Sequence, residues 1–252
     1  MMDRIQLLRD MGLYPLWVRR DQPARQPQET MPTRPDEAPT QGNPDLAQTP
    51  IDRLDWPALE QAIRTCTRCK LSATRTQAVP GVGDRQPEWF VVGEGPGEQE
   101  DLKGEPFVGP AGRLLDNMLA AIGKRRGEGV YITNVVKCRP PGNRNPEPDE
   151  ITACRPFLER QLALARPKLV LAVGKFAAQT VLGREAPVSE LRLQGGRCVL
   201  TEDVVPVAVT YHPSYLLRSP TEKAKAWDDL QRALALAESE RSGSRAGVKP
   251  RD

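Results

Sequence analysis

The chain has a single histidine, His212, in the segment VTYHPSYLLRSP (209–220). Pro213 follows it and stiffens the turn that would aim the imidazole. Ser214, the apolar pair at 216–217 and Arg218 come next. An imidazole can exchange or share protons near neutral pH, but a lone histidine is more often a structural residue. Whether His212 does chemistry therefore depends on what the rest of the chain places beside it.

Two further stretches could contact a flat, polar ligand. The acidic segment GEGPGEQED (93–101) lacks the GK[ST] ending of a phosphate loop, and its carboxylates, beginning with Glu94, would repel phosphate. Its glycines allow close approach of the backbone to a ligand. Phe107 could stack on a ring. Asn134 interrupts the apolar strand YITNVV, and its amide can both accept from and donate to the edge of a base.

Four of the five cysteines predict a metal or cluster site. Cys66 and Cys69 form a CxxC pair, and Cys138 and Cys154 are separated by fifteen residues. Four thiolates hold either zinc or an iron–sulfur cluster, and the spacing leaves both open. Cys198 lies in a predicted strand, where we expect a buried apolar residue.

The elements that must position these residues alternate between strand and helix. Apolar runs predict strands at 88–93, 130–136, 168–174, 197–200 and 205–211, and helical periodicity predicts helices at 57–65, 110–123, 148–165, 175–182 and 221–238. Such alternation favours an α/β fold with a mostly parallel sheet. Ligands bind beyond the carboxyl ends of parallel strands. The segments after strands 88–93, 130–136 and 205–211 should therefore converge on one face.

Composition divides the chain into four parts. Residues 21–50 contain seven prolines and few apolar side chains, so we expect a disordered linker over 21–55. It would separate a short helical peptide at 1–20 from a folded domain at 56–238, with a polar, disordered tail at 239–252. No apolar run reaches the length of a membrane span, and the N-terminus is too charged for a secretory signal. The expected location is the bacterial cytosol or nucleoid.

The motifs together resemble a known family. GEGPGEQEDLKGEPFVGPAGRLLDNML, ITNVVKCRPPGNRNPEPDE and HPSYLLR, with the four cysteines, are similar in type and order to the family-4 uracil-DNA glycosylases, over about residues 60–235. The resemblance implies a central, mostly parallel four-stranded sheet flanked by helices. It also implies hydrolysis of the N-glycosidic bond of uracil in DNA, after the base leaves the stack.

The resemblance also implies roles for pocket residues. Phe107 would stack on uracil, and Asn134 would accept from N3–H and donate to O4, a pattern that cytosine reverses. The Gly95 backbone would lie along the base. Glu100 would crowd the C5 side, where thymine carries a methyl group.

The remaining implied roles concern charge, water, DNA and the cysteines. His212 would hydrogen-bond uracil O2 as negative charge develops there. Glu94 or Asn143 would hold the water, and the residues alone do not rank them. On the DNA, Ser214 and Arg218 would contact the backbone, and Leu216 and Leu217 would wedge into the duplex. Cys66, Cys69, Cys138 and Cys154 would hold a [4Fe–4S] cluster with a structural role, and the arginines and Lys70 near them could meet phosphates.

Two other hypotheses concern partners. The chain could be a non-catalytic, metal- or cluster-containing module that recognises uracil-containing DNA without releasing the base. Separately, LLRDMGLYPLWVRRD within residues 1–20 resembles the peptide at the start of the bacterial clamp-loader psi subunit, which docks on the clamp-loader ATPase. The peptide at 1–20 would either dock on the folded domain or fray, or it would bind a partner. The expected partners are uracil-containing DNA, single- or double-stranded, and, through residues 1–20, a clamp-loader ATPase. We expect a monomer with no membrane contact.

Overall fold

The computed structural model describes residues 50–245, with side chains to residue 239. The N-terminal peptide at 1–20, the linker up to residue 49 and the tail from 246 lie outside the described residues, so the predictions about them stay predictions. Within the described part of the chain, no helix has the length and apolar character needed to cross a membrane.

One mixed sheet forms the centre of the domain. Its strands are β1 (Val82–Gly83), β2 (Trp89–Gly93), β3 (Val130–Asn134), β4 (Leu169–Val173), β5 (Gly196–Arg197) and β6 (Pro206–Thr210), in the spatial order β1-β3-β2-β4-β6-β5. The four central strands run parallel, and the two-residue strands β1 and β5 pair antiparallel at the edges. All four central strands therefore end at the same edge of the sheet.

Eight helices connect or cover the strands in the described residues. They are α1 (Trp56–Arg64), α2 (Glu98–Lys103), α3 (Pro110–Ala121), α4 (Pro148–Ala165), α5 (Lys175–Leu182), α6 (Val188–Gln194), α7 (Pro213–Arg218) and α8 (Lys223–Arg245). Several begin where the sequence supplies a cap. The Asp55 carboxylate accepts from the Ala58 amide at 3.0 Å to start α1, and Glu147 and Glu150 form a reciprocal capping box at the start of α4.

The core lies on both faces of the sheet, because successive side chains of a strand point to opposite sides. Phe90 and Val92 of β2 pack in one layer, which also contains Cys138 and Cys154. Trp89 and Val91 pack in the other layer, against α3 and α8. The central strands are buried on both faces, which explains why their sequences are continuous apolar runs without alternation.

The predicted fold class is confirmed, with a parallel four-stranded centre, and the two edge strands bring the count to six. The predicted strand at 197–200 is wrong beyond Arg197, because β5 is only two residues long. Helices α2, α6 and α7 were not predicted. They have six or seven residues, too few for a helical period to stand out.

Two predicted boundaries are also wrong. The linker was expected to reach residue 55, but Ile51–Arg53 forms a short 3-10 helix and Leu54 is buried, with its carbonyl accepting from the Arg160 guanidinium. The tail was expected from residue 239, but α8 continues to Arg245. Both segments therefore belong to the folded part of the chain.

Candidate active site

One cavity of about 210 Å³ opens at the carboxyl edge of the sheet. This volume is below the roughly 300–1,000 Å³ of pockets that bind drug-sized ligands. A cavity of this size suits a single small ring. The three segments expected to converge do so here. The cavity is lined by Glu94, Gly95, Pro96, Gly97, Glu100, Phe107, Ala111, Asn134, Pro140, Asn143, Arg144, Pro146, His212 and Ser214.

Asn134 presents an unsatisfied polar atom to this cavity. It is the last residue of β3, it is 1% exposed, and its side-chain oxygen Oδ1 has no hydrogen-bond partner. Buried polar groups are nearly always paired, so an orphaned amide oxygen in a cavity wall points to a missing donor. The register partner of Asn134 in β2 is Gly93, and a Cβ built on Gly93 would lie 2.4 Å from Oδ1. Only glycine there leaves the amide in place.

Phe107 forms a second wall of the cavity in an unusual conformation. Its φ is +55°, in the left-handed region that aromatic residues rarely adopt. The adjoining backbone is held by Glu100, whose carboxylate accepts from the amides of Val108 at 2.9 Å and Gly109 at 3.0 Å, and also from Gly97. Glu100 therefore fixes the loop that carries Phe107 as well as lining the cavity.

His212 caps α7 and adopts a defined protonation state. Its Nδ1 accepts from the Ser214 amide at 3.2 Å and lies 2.7 Å from the Ser214 hydroxyl. Because an amide only donates, Nδ1 carries no proton and the neutral ring carries its proton on Nε2. Burial, with a smaller effect of Arg218, lowers the pKa of His212 to about 4. The ring centroids of His212 and Phe107 are 5.7 Å apart. His212 is thus a neutral donor beside the aromatic wall.

Glu94 and Asn143 line the same cavity but differ in their surroundings. Burial raises the pKa of the Glu94 carboxyl. Asn143 is exposed, has a left-handed φ of +56°, and its Oδ1 already accepts from Arg139 Nε at 2.7 Å. Gly95 sits where a Cβ would lie 2.8 Å from the Val136 side chain, so its lack of a side chain lets the loop pack on the end of β3.

The α7 segment shows which predicted DNA-contacting residues are accessible. Leu217 is 43% exposed, Arg218 is exposed, and Ser214 lines the cavity mouth. The prediction for Leu216 is wrong. Its side chain is 1% exposed and packs in the core layer of α3 and α8, because residues on neighbouring positions of a helix point in different directions. Tyr215, which was not predicted, is the other exposed apolar residue of this helix.

The four cysteines surround a second, smaller cavity. Cys66, Cys69, Cys138 and Cys154 are all free and line it together with Arg75 and Lys137. Three of the sulfurs accept hydrogen bonds. Arg75 Nη1 donates to Cys138 at 2.8 Å, and the Lys137 and Arg68 amides donate to Cys154 at 3.3 Å and Cys66 at 3.4 Å. Donors aimed at sulfur fit an anionic group held by thiolates.

Among the residues that the structure describes, no three Cys, His, Asp or Glu side chains are close enough to form a site for a single metal ion. The cavity nevertheless has donors of one chemical kind, four thiols, which suits an iron–sulfur cluster as well as zinc. Lys137 lies beside it and is fully buried. Its Nζ donates to the Thr133 hydroxyl at 2.7 Å and to the Asn134 carbonyl at 2.6 Å, and burial lowers its pKa to about 8.

Several cations near the cysteines, which were expected to meet DNA phosphates, are paired with other groups of the protein. Arg75 also donates to the carbonyls of Arg64 and Cys66. Lys70 pairs with Glu147, and Arg144 forms a two-bond pair with the buried Glu150 at 2.6 and 2.9 Å. These three cations are paired within the protein, and their contact with DNA phosphates stays a prediction. Sequence reasoning did not find these pairs, because they join side chains whose proximity no motif or periodicity records.

Comparison with known proteins agrees with this fold and site. Residues 80–231 match the family model described as the Uracil DNA glycosylase superfamily. The chain is 44% identical to the type-4 uracil-DNA glycosylase of Archaeoglobus fulgidus over 68% of this chain and 87% of that one. It is 39% identical to the type-4 enzyme of Thermotoga maritima over 72% and 94%.

A type-5 uracil-DNA glycosylase of Thermus thermophilus matches less closely, at 29% identity over 51% of this chain and 73% of that one. The higher identity and coverage lie with the type-4 proteins. The chain therefore belongs to the uracil-DNA glycosylase superfamily and, within it, to the type-4 family, as its motifs indicated.

Proposed function

We propose that this chain removes uracil from DNA by hydrolysing the bond between the base and deoxyribose, the activity that the names of its type-4 relatives state. The observation that carries the proposal is the unpartnered Oδ1 of Asn134, buried in a small cavity beside the ring of Phe107 and the neutral imidazole of His212. Uracil is a flat ring with alternating donors and acceptors on its edge. An amide, an aromatic ring to stack on and an imidazole N–H together match these features.

Recognition would begin with the base outside the duplex, because the cavity admits one ring and not a stacked pair. Phe107 stacks on uracil. Asn134 Oδ1 accepts from N3–H, which satisfies the orphaned oxygen, and its amide nitrogen donates to O4. Cytosine offers an unprotonated N3 and an exocyclic amine, so it would face two mismatched contacts. Gly95 lies along the base. Glu100, rigidly held by three backbone amides, closes the side where thymine carries its methyl group.

In the chemical step the C1′–N1 bond breaks, and its electron pair passes to the uracil ring. His212 donates from Nε2 to O2, where the negative charge develops, and a fixed donor at such a place accelerates reactions by about 10²–10³. A water oxygen adds to C1′ while one proton of that water passes to a base, and the uracil anion takes up a proton from solvent. The products are free uracil and an abasic sugar. A neutral imidazole suits this role because it needs no proton transfer in advance.

Glu94 is the better candidate for holding the water and taking its proton. Burial raises its pKa and strengthens the field of its carboxylate at the sugar, which gains positive character. Asn143 is exposed and its Oδ1 is engaged by Arg139. We assign Asn143 an auxiliary part at the cavity mouth.

Around the pocket, Ser214 and Arg218 would contact phosphates and Leu217 would fill the space that the extruded base leaves. Cys66, Cys69, Cys138 and Cys154 would hold a [4Fe–4S] cluster. When bound, the cluster supplies a structural crosslink between the segment after α1, the segment after β3 and helix α4. The segment between β3 and α4 also carries Asn143 and Arg144, which line the uracil pocket.

The test uses single- and double-stranded oligonucleotides with one uracil, and thymine and cytosine versions as controls. After incubation, alkali cleaves at abasic sites. We expect cleavage only with uracil, and a rate about 10²–10³ lower for His212→Ala. Tight binding of uracil DNA without cleavage would instead favour the non-catalytic module. Equal cleavage by wild type and His212→Ala would refute the role of the imidazole.

One proposal concerns the chain outside the glycosylase domain. We retain the hypothesis that residues 1–20 bind a clamp-loader ATPase, with residues 21–49 as a tether that raises the effective concentration at replicating DNA. This would place a monomeric enzyme at the nucleoid of a bacterial cytosol. A pull-down compares the full chain with one lacking residues 1–20. Equal recovery of the ATPase would refute the hypothesis.

A further inference from the structure

The loop that carries Phe107 is held by a residue outside the cavity. We propose that Arg126 is a positioning residue that keeps Phe107 in its left-handed conformation and so keeps the ring in the wall of the pocket. The inference rests on the proposed function for the part that concerns uracil. The stretch GKRRGEG around Arg126 looks like a basic surface turn in the sequence, and nothing in it pointed to the site.

The guanidinium of Arg126 donates hydrogen bonds to the carbonyls of both peptide groups that flank the α-carbon of Phe107. Nη1 donates to the Pro106 carbonyl and Nη2 to the Phe107 carbonyl, each at 2.8 Å. Nε donates to the Asp116 carboxylate at 3.0 Å, and Glu105 lies 3.5 Å from Nη1. The side chain is only 19% exposed. The guanidinium thus ties the loop to helix α3, which supplies Asp116.

Other groups hold the next part of the loop but not these carbonyls. Glu100 accepts from the amides of Val108 and Gly109. The Phe107 carbonyl lies against Gly112 of α3, where a Cβ would be only 1.7 Å from the oxygen. That oxygen faces helix backbone with no room for a side chain, and Arg126 is the donor that satisfies it. Without Arg126, two carbonyls at the edge of the core lose their partner.

The backbone conformation of Phe107 has an energetic cost. A left-handed φ is unfavourable for phenylalanine and persists only when its surroundings enforce it. Removing Arg126 removes two of the enforcing bonds, so the loop should populate right-handed or extended conformations, and the ring should leave the wall for part of the time. The forked geometry matters, because lysine presents one ammonium and cannot bond two carbonyls and a carboxylate in fixed directions.

Single-turnover uracil release tests the proposal, with Arg125→Ala as matched control. Arg125 is the adjacent arginine, and its ion pair is with the exposed Glu128. We expect Arg126→Ala to lower the rate about ten- to a hundredfold, Arg126→Lys to recover part of it, and Arg125→Ala to match wild type. When Phe107 is already alanine, no ring is left to be positioned, so adding Arg126→Ala should lower the rate of uracil release by less than about threefold. A full, additive loss in that background would mean general destabilisation and would overturn the proposal.

A second measurement does not depend on catalysis. Hydrogen–deuterium exchange of the full chain should show the Val108 and Gly109 amides exchanging about tenfold faster in Arg126→Ala, with Arg125→Ala unchanged. Unchanged exchange together with an unchanged rate would overturn the proposal and leave the glycosylase function standing. If wild type releases no uracil, the proposed function fails, and the exchange data alone decide whether Arg126 holds the loop.

Discussion

Gly93 is the position where a single methyl group should test the geometry of the pocket. The substitution Gly93→Ala adds a Cβ at the end of β2, facing the two side chains that we assign to base recognition. That Cβ would lie 2.4 Å from Asn134 Oδ1, 2.5 Å from Phe107 Cζ and 2.7 Å from Phe107 Cε2. The φ of Gly93 is not in the left-handed region, so alanine meets no backbone obstacle there.

The magnitude follows from these contacts. Ordinary van der Waals contact begins at 3.4 Å, so the amide and the ring must each move by about 1 Å. A misplacement of that size in a catalytic site costs about 10²-fold in rate. Placing one extra carbon in a packed core costs about 1–3 kcal/mol of stability. We therefore expect Gly93→Ala to fold, to be modestly less stable, and to release uracil about a hundredfold more slowly.

The assay is single-turnover uracil release from a single-stranded oligonucleotide, with thermal unfolding measured in parallel. Gly123→Ala is the matched control. A methyl group at that position would have nothing within 4 Å, but the φ of Gly123 is +70°, so the variant should lose about 1–2 kcal/mol through backbone strain and keep its rate. A wild-type rate in Gly93→Ala would refute the argument that Asn134 and Phe107 grip the base at this point.

Three further predictions concern other parts of the molecule. Burial raises the pKa of the Glu94 carboxyl, so this group stays protonated to a higher pH than an ordinary glutamate. The rate of uracil release should therefore rise with pH above 4.5. If the same rise persists in Glu94→Gln, it belongs to the titration of another group. Ser214→Ala removes a hydroxyl 2.7 Å from His212 Nδ1 but keeps the backbone amide, so the rate should fall only about fivefold, and a loss as large as that of His212→Ala would contradict the assigned tautomer. If the four cysteines hold the proposed iron–sulfur cluster, Arg75→Ala, which loses the hydrogen bond to Cys138, should weaken iron retention about 10–100-fold against a chelator, followed by iron content and absorbance in the visible range. Arg68→Ala is its control, since the Arg68 hydrogen bond to a cysteine sulfur comes from its backbone, and equal iron loss in both variants would refute the role of Arg75.

The sequence alone determined the elements with long apolar patterns and the residues grouped by motif. Strands β2, β3, β4 and β6 are continuous apolar runs that are almost wholly buried. Helix α3 carries clear apolar periodicity, and helix α4 begins with a capping box, so local residue order specified these elements. The sequence also determined the edge of the sheet at which the loops meet, because the carboxyl ends of parallel strands lie at one edge. Glu94, Asn134 and His212 lie at or just beyond the ends of those strands, and Phe107 lies later in the segment that follows β2, so the four could be placed in one pocket from the sequence.

Only the tertiary structure decided what depends on distant partners or on side-chain direction. Leu216 and Leu217 are adjacent and chemically alike, yet the packing of α7 on α3 buries the first and exposes the second. Nothing in the sequence pairs Lys70, Arg75 and Arg144 with Glu147, Cys138 and Glu150, which only the folded chain brings against them. Arg126 reaches carbonyls nineteen and twenty residues earlier in the chain. Periodicity and motifs record interactions with near neighbours in sequence, whereas burial and pairing are set by contacts that form only when the chain closes on itself.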